Sequence, residues 1–395
     1  MTVAGIVAEF NPLHNGHLFL MHRLKQEGAD YLVIVMSGNF VQRGEAALLS
    51  KWARTRQALA CGADLVLELP LPWAMSGAEH FALGGISILD AVGANFLGFG
   101  SECGNPDLLQ QAGRALASPA LHDAIREALQ SGVTFAAARQ LAVERLFGQK
   151  MASLLREPNN ILGIEYLKAI EKLKSNLIPR TVLRTGPSHD DNYPAKDHAS
   201  SAAVRSMVRH GKTVSSYLPK EAESVLREEL KSGRAPADLS YLGRGIIAKL
   251  RMMDRTGFSR LPDLSEGLEN RIYASVRKAG SLTELYQMVK TKRYPLARIR
   301  RLVLSAFLGI DQAAWAGTPP YIRILGIGNG GPKILEAAKK RARLPILARY
   351  SDAAKLDTRG KKILELENRA ADLYALCMPT AQPCGTDRTS KVIVF

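Results

Sequence analysis

Short apolar runs alternate with helical segments through the first half of the chain. The runs at residues 3–8, 31–36, 64–69, 95–99 and 180–184 predict strands, and apolar side chains on both faces indicate that the first is buried. Apolar residues at helical spacing occupy residues 14–24, 51–61, 81–92 and 161–173. Strands that alternate with helices in this way predict an α/β fold built on a doubly wound parallel sheet.

Two regions depart from this alternation. Helical spacing at residues 108–116, 121–129 and 135–146 predicts a helical insertion over about residues 105–150. After residue 211 we predict helices alone, at 221–232, 240–253, 267–278, 282–290, 296–308, 332–342 and 363–376, with an extended tail at 391–395. The sequence therefore predicts an α/β domain over residues 1–210 and a mostly α-helical domain over residues 211–395.

The turn after the first strand carries the most informative side chains. His14 and His17 are three residues apart, so both imidazoles can lie on one side of the first helical turn. The free N–H groups and the dipole of a helix N-terminus favour an anion, here at the carboxyl edge of the sheet. Gly16 has no Cβ, which lets a base or phosphate approach the backbone. We predict a phosphate site; the alternative is two surface histidines that cap a helix.

The chemistry that such a site favours is attack on the α-phosphate of ATP with loss of pyrophosphate. Negative charge develops on the phosphoryl oxygens, and fixed donors aimed at them lower the barrier. The two histidines donate without being nucleophiles, so the adenylylated group comes from the substrate. Gly100 follows the fourth strand and is expected beside this site. Ser200 and Arg205 begin another helix. The His14, Gly16 and His17 turn resembles the nucleotidyltransferase superfamily, and that resemblance implies a second phosphate clamp at this helix start. The alternative is an ordinary N-cap with an exposed arginine.

The chain is strongly basic, with 53 Lys and Arg against 37 Asp and Glu, a net charge of +16. This exceeds what solubility requires and is typical of proteins that bind phosphate polymers. The densest basic run contains Lys290, Lys292, Arg293, Arg298, Arg300 and Arg301. We predict that this run contacts a nucleic-acid backbone, although such runs are often only solvated helix faces.

Cysteine usage and apolar run length bear on the compartment. Four scattered cysteines without C-x-x-C spacing predict reduced thiols in a cytoplasmic protein. The first strand begins at residue 3, which leaves no room for a signal peptide. No apolar run reaches the roughly 18 residues of a membrane span, so we expect no membrane contact.

Six segments, taken together and in order, carry a resemblance to a known family. They are Val-Ala-Glu-Phe-Asn-Pro-Leu-His-Asn-Gly-His (7–17), Met-Ser-Gly-Asn-Phe-Val-Gln-Arg-Gly-Glu (36–45), Ser-Lys-Trp-Ala-Arg (50–54), Gly-Phe-Gly-Ser-Glu (98–102), Pro-Asn-Asn-Ile-Leu-Gly-Ile-Glu-Tyr (158–166) and Gly-Leu-Glu-Asn-Arg-Ile (267–272). The His-x-Gly-His turn resembles the signature of the nucleotidyltransferase superfamily, which includes the class I aminoacyl-tRNA synthetases. The whole set resembles the bacterial tRNA(Met) cytidine acetate ligase family over nearly the full chain.

That resemblance implies a nucleotidyltransferase-like Rossmann domain in which ATP activates acetate to acetyl-adenylate and pyrophosphate. The acetyl group would then pass to N4 of the wobble cytidine, position 34, of elongator tRNA(Met); no protein partner is implied. Positions that match the family's ATP contacts are Val7, Ala8, Glu9, Phe10, Asn11, Pro12, Leu13, His14, Asn15, Gly16, His17, Leu18, Phe19, Leu20, Gly100, Asn159, Arg184 and Thr185, with Asn160 as the alternative to Asn159. Magnesium is expected with ATP, held by phosphates and water, because no carboxylate cage for a metal is visible.

Two other classes of function remain open. One is a nucleotidyltransferase that builds a small dinucleotide cofactor, in which the helical half serves oligomerisation. The other is a non-catalytic RNA-binding protein on a relic nucleotide fold, against which the intact His14, Gly16 and His17 argue. ATP–pyrophosphate exchange with acetate, with and without tRNA, distinguishes these classes.

Overall fold

A computed structural model describes residues 1–133, 135–184, 199–264, 267–292 and 294–395, with the side chains of residues 135 and 136 left aside. The strands are β1 (Val3–Ala8), β2 (Tyr31–Ser37), β3 (Phe40–Val41), β4 (Glu45–Ala46), β5 (Leu65–Leu69), β6 (Phe96–Ser101), β7 (Ile178–Leu183), β8 (Ile322–Ile327), β9 (Ile346–Leu347) and β10 (Ile393–Val394). One sheet has the order β10-β8-β5-β2-β1-β6-β7, with β9 paired to β8, and β3 and β4 form a separate hairpin. Within the large sheet β5 and β8 are antiparallel and the other pairs are parallel.

The helices cover both faces of this sheet and form the rest of the molecule. They are α1 (Asn15–Gln26), α2 (Lys51–Ala60), α3 (Leu71–Ala74), α4 (Ala78–Ala91), α5 (Pro106–Leu116), α6 (Pro119–Leu129), α7 (Phe135–Leu154), α8 (Pro158–Leu173), α9 (Ser201–Arg209), α10 (Lys220–Lys231), α11 (Gly243–Met252), α12 (Arg255–Ser259), α13 (Leu268–Lys278), α14 (Leu282–Val289), α15 (Leu296–Leu308), α16 (Gly331–Arg341), α17 (Thr358–Tyr374) and α18 (Thr386–Thr389). Helices α5, α6 and α7 lie between β6 and β7 in the chain, which confirms the predicted helical insertion.

Alternate residues of the central strands pack on opposite faces of the sheet. In β2, Val33 and Val35 pack in a cluster with α4, whereas Ile34 and Met36 pack in a cluster with α1 and α2. Burial of both faces explains why β2 reads as an unbroken apolar run. The predicted doubly wound α/β fold is therefore confirmed.

Strand β8 corrects the prediction of helices alone between residue 211 and the extended tail. It pairs with β5, and the tail strand β10 and the short β9 pair with it in turn. Arg323 interrupts its apolar pattern, yet this arginine is buried because it forms ion pairs with Asp387 (2.6 Å) and Glu68 (3.1 Å). The boundary near residue 210 stays a prediction, but the sheet contains strands from both sides of it.

The sheet order creates a crevice beside β1. The chain passes from β1 to β2 on one side, and β6 later takes the other side of β1. A parallel sheet opens between its carboxyl ends where the strand order reverses in this way. Helix α1 packs closely on β6, since a Cβ at Gly98 would overlap the side chain of Leu24. The N-terminus of α1 therefore lies near the carboxyl ends of β1 and β6.

Candidate active site

His14 and His17 lie at the start of α1 and stack on each other. His14 is the N-cap residue and His17 is the third residue of the helix. Their ring centroids are 3.8 Å apart with an angle of 22° between the planes, and the Phe10 ring meets the His17 ring edge to face at 5.0 Å. The two imidazoles thus share one side of the first turn, as their spacing predicted.

Backbone N–H groups fix the orientation of both rings. The N–H of Gly16 donates to Nδ1 of His14 (3.1 Å), and the N–H of His14 donates to Nδ1 of His17 (3.2 Å). Because an accepting imidazole nitrogen carries no proton, each neutral ring has its proton on Nε2. Both histidines are therefore set as Nε2–H donors, which is the form that stabilises negative charge on a phosphoryl oxygen.

Gly16 makes room for the His14 ring. A Cβ at this position would lie 3.0 Å from Cε1 and 3.2 Å from Nδ1 of His14. Favourable contacts between carbon atoms lie at about 3.5–4.0 Å, so a larger residue would push the ring away. We predicted Gly16 as a point of ligand approach, and the structure adds this second reason for a glycine.

The other residues of the predicted ATP segment surround this turn. Phe10, Asn11 and Leu13 are buried, and Phe19 is 51% exposed on the outer side of α1. The segment passes from the last residues of β1, through the turn, to the second turn of α1: Val7, Ala8, Glu9, Phe10, Asn11, Pro12, Leu13, His14, Asn15, Gly16, His17, Leu18, Phe19 and Leu20. The structure thus places this segment at and just beyond the carboxyl end of β1, but the Val7 side chain packs against α4 and the Phe19 side chain lies on the outer side of α1.

Arg54, on α2, ties the ends of two central strands together. Its guanidinium is completely buried and donates to the carbonyl oxygens of Leu49 (3.0 Å), Glu9 (2.6 Å), Ser37 (3.0 Å) and Gly38. Burial lowers the pKa of Arg54 to about 10, and nearby acidic groups oppose that shift. The segments that leave β1 and β2 are therefore held by one buried cation.

Segments far along the chain hold the turn from its other side. The carbonyl of Asn11 accepts from Arg205 (3.0 Å), and the side-chain oxygen of Asn11 accepts from the N–H of Leu48 (2.8 Å). The N–H of Asn15 donates to the carbonyl of Tyr217 (2.9 Å). These contacts fix the path of the backbone into His14.

Ser200 precedes α9 and Arg205 lies on it, and Arg205 is not exposed. The N–H of Ala203 donates to Oγ of Ser200 (3.0 Å), which makes Ser200 an N-cap. Arg205 is 7% exposed and lies 3.7 Å from Oε2 of Glu45. The alternative of an exposed arginine is therefore wrong, since this cation packs against the histidine turn.

Glu9 is the carboxylate nearest to this turn in the chain. One of its oxygens accepts from the N–H of Gln42 (2.8 Å). Burial raises the pKa of Glu9, and that N–H together with three nearby arginines opposes the shift. Glu9 is therefore tied to the β3–β4 hairpin and surrounded by positive charge.

A second group of predicted residues meets at the carboxyl end of β6. The N–H of Arg184 donates to the carbonyl of Ser101 (2.9 Å), and a Cβ on Gly100 would lie 3.1 Å from Cγ of Arg184. Partial burial lowers the pKa of Arg184, and the Glu102 carboxylate opposes that shift. Thr185 lies outside the described residues.

The two candidate asparagines at the start of α8 have different environments. Asn160 is 2% exposed, and its Oδ1 accepts from the N–H of Cys103 (3.1 Å). Asn159 is half-buried, and its Nδ2 donates to Oε1 of Glu102 (2.5 Å). No residue that the structure describes donates to the side-chain oxygen of Asn159, whereas the side-chain oxygen of Asn160 is engaged.

The arginines of the predicted RNA-binding run bind other parts of the protein. Arg298 and Arg301 share Asp263, with N–O distances of 3.3 and 3.4 Å, and Arg300 pairs with Glu45. All three are partly buried, with 15–30% of each side chain exposed. Carboxylates already offset these three charges, so their contact with RNA stays a prediction.

The lysines of the same run are more accessible. Lys290 and Lys292 are exposed, and neither forms an ion pair within the described part of the chain. Arg293 lies outside the described residues. The two lysines are therefore the members of this run whose charge is available to a partner.

Three residues that organise the site were not predicted from the sequence, namely Arg54, Glu45 and Glu102. Each lies inside a segment that carried the family resemblance. Apart from Leu49, which is five residues from Arg54, their partners are 16 to 255 residues away in the chain, as with Arg54 and Gly38 or Arg300 and Glu45. The motifs could therefore have identified these residues as part of the site, but their spacing in the sequence does not indicate which contacts the residues make.

The described residues offer neither a metal-binding cluster nor a membrane-spanning helix. Among the residues described, no three His, Cys, Asp or Glu side chains form a group that could hold a metal ion. Within the same part of the chain, no helix is both long enough and apolar enough to span a bilayer.

Comparisons with known proteins agree with this geometry. The family described as HIGH Nucleotidyl Transferase matches residues 1–388. The tRNA(Met) cytidine acetate ligase of Acetivibrio thermocellus is 35% identical, with 100% of both chains covered. The protein of the same name from Caldicellulosiruptor saccharolyticus is 37% identical over 95% of this chain and 94% of its own.

Solved structures of Thermotoga maritima TmcAL are also similar. The apo form superposes with a TM-score of 0.95 at 33% identity, covering 100% of both chains. The form bound with alpha-thio ATP superposes with a TM-score of 0.92 at 33% identity and the same coverage. Full-length similarity of this degree extends to the turn that carries His14 and His17, and the chain belongs to the tRNA(Met) cytidine acetate ligase family, whose members are HIGH nucleotidyltransferases acting as ligases.

Proposed function

We propose that this protein activates acetate with ATP and transfers the acetyl group to N4 of the wobble cytidine, position 34, of elongator tRNA(Met). The observation that carries the proposal is the pair of stacked imidazoles whose Nδ1 atoms accept from backbone N–H groups. The names of the relatives supply the tRNA and the acetate, and the TmcAL complex with an ATP analogue supports ATP as the nucleotide.

In the first step a carboxylate oxygen of acetate attacks the α-phosphorus of ATP. The bond from the α-phosphorus to the bridging oxygen breaks, and pyrophosphate leaves with the electron pair. His14 and His17 donate from Nε2 to the phosphoryl oxygens, on which charge increases in the transition state. Neither ring gains or loses a proton in this step, because each acts only through a hydrogen bond donated from Nε2.

The crevice between β1 and β6 suits the nucleotide that this step needs. Its phosphates would lie at the N-terminus of α1, where the helix dipole and the Nε2–H groups of His14 and His17 favour anions. The backbone N–H groups of Asn15 and Gly16, which we expected to be free, instead donate to the carbonyl of Tyr217 and to Nδ1 of His14. The adenosine part of the nucleotide would then lie toward Gly100, Asn159 and Arg184, which meet at the end of β6. Asn159 is proposed as the contact in preference to Asn160, since the Asn160 oxygen accepts from a backbone N–H.

In the second step N4 of cytidine attacks the carbonyl carbon of acetyl-adenylate. AMP leaves with the electron pair of the broken C–O bond, and N4 loses a proton. The exocyclic amine is a weak nucleophile, so the base must be held beside the adenylate with water excluded. An anticodon-loop base can be unstacked at less cost than a paired base, which fits a wobble cytidine.

The RNA would be bound largely through charge. The net charge of +16 favours association with a phosphate backbone. We propose that residues 211–395 grip the tRNA body, with Lys290 and Lys292 exposed and unpaired among the described residues. Residues 1–210 would carry out both chemical steps.

Magnesium fits this site as a companion of ATP. The described residues offer no cluster of carboxylates for a metal, and Glu9 already accepts from a backbone N–H beside several arginines. Phosphate oxygens and water would therefore be its main ligands. Bound Mg²⁺ supplies positive charge that offsets the charge on the departing pyrophosphate.

Acetate-dependent ATP–pyrophosphate exchange tests the first step. We expect His17→Ala to lower the exchange rate by about 10²–10³, because one preorganised donor is lost. His22→Ala is the matched control, since His22 lies on the outer side of the same helix and is exposed. A folded His17→Ala variant with the exchange rate of the His22→Ala control would refute the phosphate-site interpretation.

A further inference from the structure

Glu102 connects the end of β6 to the start of α8 through three hydrogen bonds. Its Oε1 accepts from Nδ2 of Asn159 (2.5 Å) and from the N–H of Asn159 (3.4 Å). Its Oε2 accepts from the N–H of Asn160 (2.8 Å). Glu157 is the N-cap of α8 but makes no side-chain cap bond, so Glu102 satisfies helix N–H groups from outside the helix.

The bond to Nδ2 also determines which way the amide of Asn159 faces. An ionised carboxylate accepts hydrogen bonds and donates none, so the NH₂ group of Asn159 must face Glu102. The carbonyl oxygen Oδ1 then faces away from Glu102, and no described residue donates to it. Asn159 is half-buried, so this oxygen remains accessible.

Glu102, which holds this amide, lies at the edge of the sheet where the crevice opens. Glu102 follows Gly100 by two residues at the carboxyl end of β6, and β6 is the strand beside β1. The Arg184 side chain passes beside Gly100. An acceptor fixed here lies at the carboxyl edge of β6, and the His14 and His17 turn lies at the same edge of the sheet, after β1.

We propose that Glu102 is a positioning residue that orients the Asn159 amide to accept a hydrogen bond from the adenosine part of the nucleotide. The donor is either the 6-amino group of adenine or a ribose hydroxyl. The inference rests on the proposed function only in taking ATP as the nucleotide. A nucleotide that lacks the donor leaves Oδ1 unpaired, and one with an oxygen there places two acceptors against each other.

Glu102→Gln gives a specific test because glutamine can reverse the orientation. Its oxygen can still accept the shorter backbone hydrogen bond, from the N–H of Asn160 (2.8 Å), while its NH₂ group faces the Asn159 amide. This arrangement gives up only the longer bond from the N–H of Asn159 (3.4 Å). The Asn159 amide then turns over, so that its own NH₂ group faces the nucleotide. Glu165→Gln is the matched control, since Glu165 lies on α8, the helix that carries Asn159, and pairs with Lys168 (2.8 Å) and not with Asn159.

The readout is nucleotide affinity, measured by calorimetry without acetate or tRNA. We expect the natural protein to bind ATP about 10- to 100-fold more tightly than the analogue that lacks one donor. Purine riboside triphosphate removes the amine, and 2′-deoxy-ATP and 3′-deoxy-ATP each remove one hydroxyl, so the weaker-binding analogue identifies the donor. Inosine triphosphate has an oxygen in place of the amine; if the amine is the donor, Glu102→Gln should bind it relatively better than the natural protein does.

The expected pattern is that Glu102→Gln loses the discrimination between ATP and that analogue, while Glu165→Gln retains it. Asn159→Ala should lose it too, and adding Glu102→Gln to that variant should cause no further change. Unaltered discrimination in folded Glu102→Gln would overturn the proposal and leave Glu102 as a helix cap. If Glu102→Gln does not fold, retained discrimination in Asn159→Ala overturns it. Since acetate is absent, failed acetyl transfer would not affect these results.

Discussion

Replacement of Gly16 by alanine should lower the catalytic rate without a comparable loss of folding stability. The new Cβ would lie 3.0 Å from Cε1 of His14, some tenths of an ångström closer than a favourable contact. The ring must move, and the hydrogen bond from the Gly16 N–H to Nδ1 (3.1 Å) is strained or lost. Catalytic donors must keep their positions to within about 0.5 Å, so His14 no longer donates correctly.

The expected decrease in rate is the one caused by losing about one preorganised hydrogen-bond donor. We expect Gly16→Ala to slow acetate-dependent ATP–pyrophosphate exchange by about 10²–10³. Its free energy of unfolding should not fall by a comparable amount, because alanine is favoured over glycine in a helix by about 0.5–1 kcal/mol. Exchange kinetics and urea unfolding of the same preparation measure the two effects.

Gly245→Ala is the control for a glycine-to-alanine change in a helix. Gly245 is exposed on α11, and its Cβ would meet Leu242 at 3.7 Å, an ordinary contact. This variant should gain slight stability and exchange at the normal rate. A folded Gly16→Ala variant that exchanges as fast as Gly245→Ala would refute the account of how His14 is held.

Three further predictions concern other parts of the molecule. Arg54→Met should lower the free energy of unfolding by about 3–6 kcal/mol, because several buried carbonyls lose their donor; a loss below about 1 kcal/mol in urea unfolding would contradict this. Burial raises the pKa of Glu367 well above 4.5, so the native state loses stability as pH rises above that value. Glu367→Gln cannot ionise, so its free energy of unfolding should increase relative to that of the natural protein between pH 5 and pH 8. A constant difference between the two proteins over this range would contradict the raised pKa of Glu367. Joint replacement of Lys290 and Lys292 by alanine should weaken tRNA binding and reduce its salt slope by at most about two units, and an unchanged slope would make both lysines merely solvated.

The α/β framework was predictable because its central strands are buried on both faces. Four of the predicted runs form the mostly buried strands β1, β2, β5 and β6 of one sheet, and such strands give nearly unbroken apolar runs. The fifth run forms β7, an edge strand in which Ile178 is 51% and Leu183 is 53% exposed. Strand β8 was missed because Arg323 breaks its apolar pattern. The partners that allow this arginine to be buried, Glu68 and Asp387, lie far from it in the sequence.

Side chains that act through local spacing were also predictable, and those that act at long range were not. The shared orientation of His14 and His17 follows from three-residue spacing at a helix start. The basic run shows the limit, because helical periodicity places Arg298 and Arg301 on one face but cannot identify Asp263 as their common partner. The hydrogen bonds of Glu102 could not be predicted either, because they form only where the end of β6 meets the start of α8 in the folded chain.

Mass spectrometry of nuclease-digested tRNA tests the proposed function most directly. The protein is incubated with ATP, acetate and elongator tRNA(Met), and the modified nucleoside is then identified and located. We predict one N4-acetylcytidine at the wobble position, formed together with equal amounts of AMP and pyrophosphate. Acetyl on another nucleoside, or an unmodified tRNA while a dinucleotide accumulates, would contradict the proposed function.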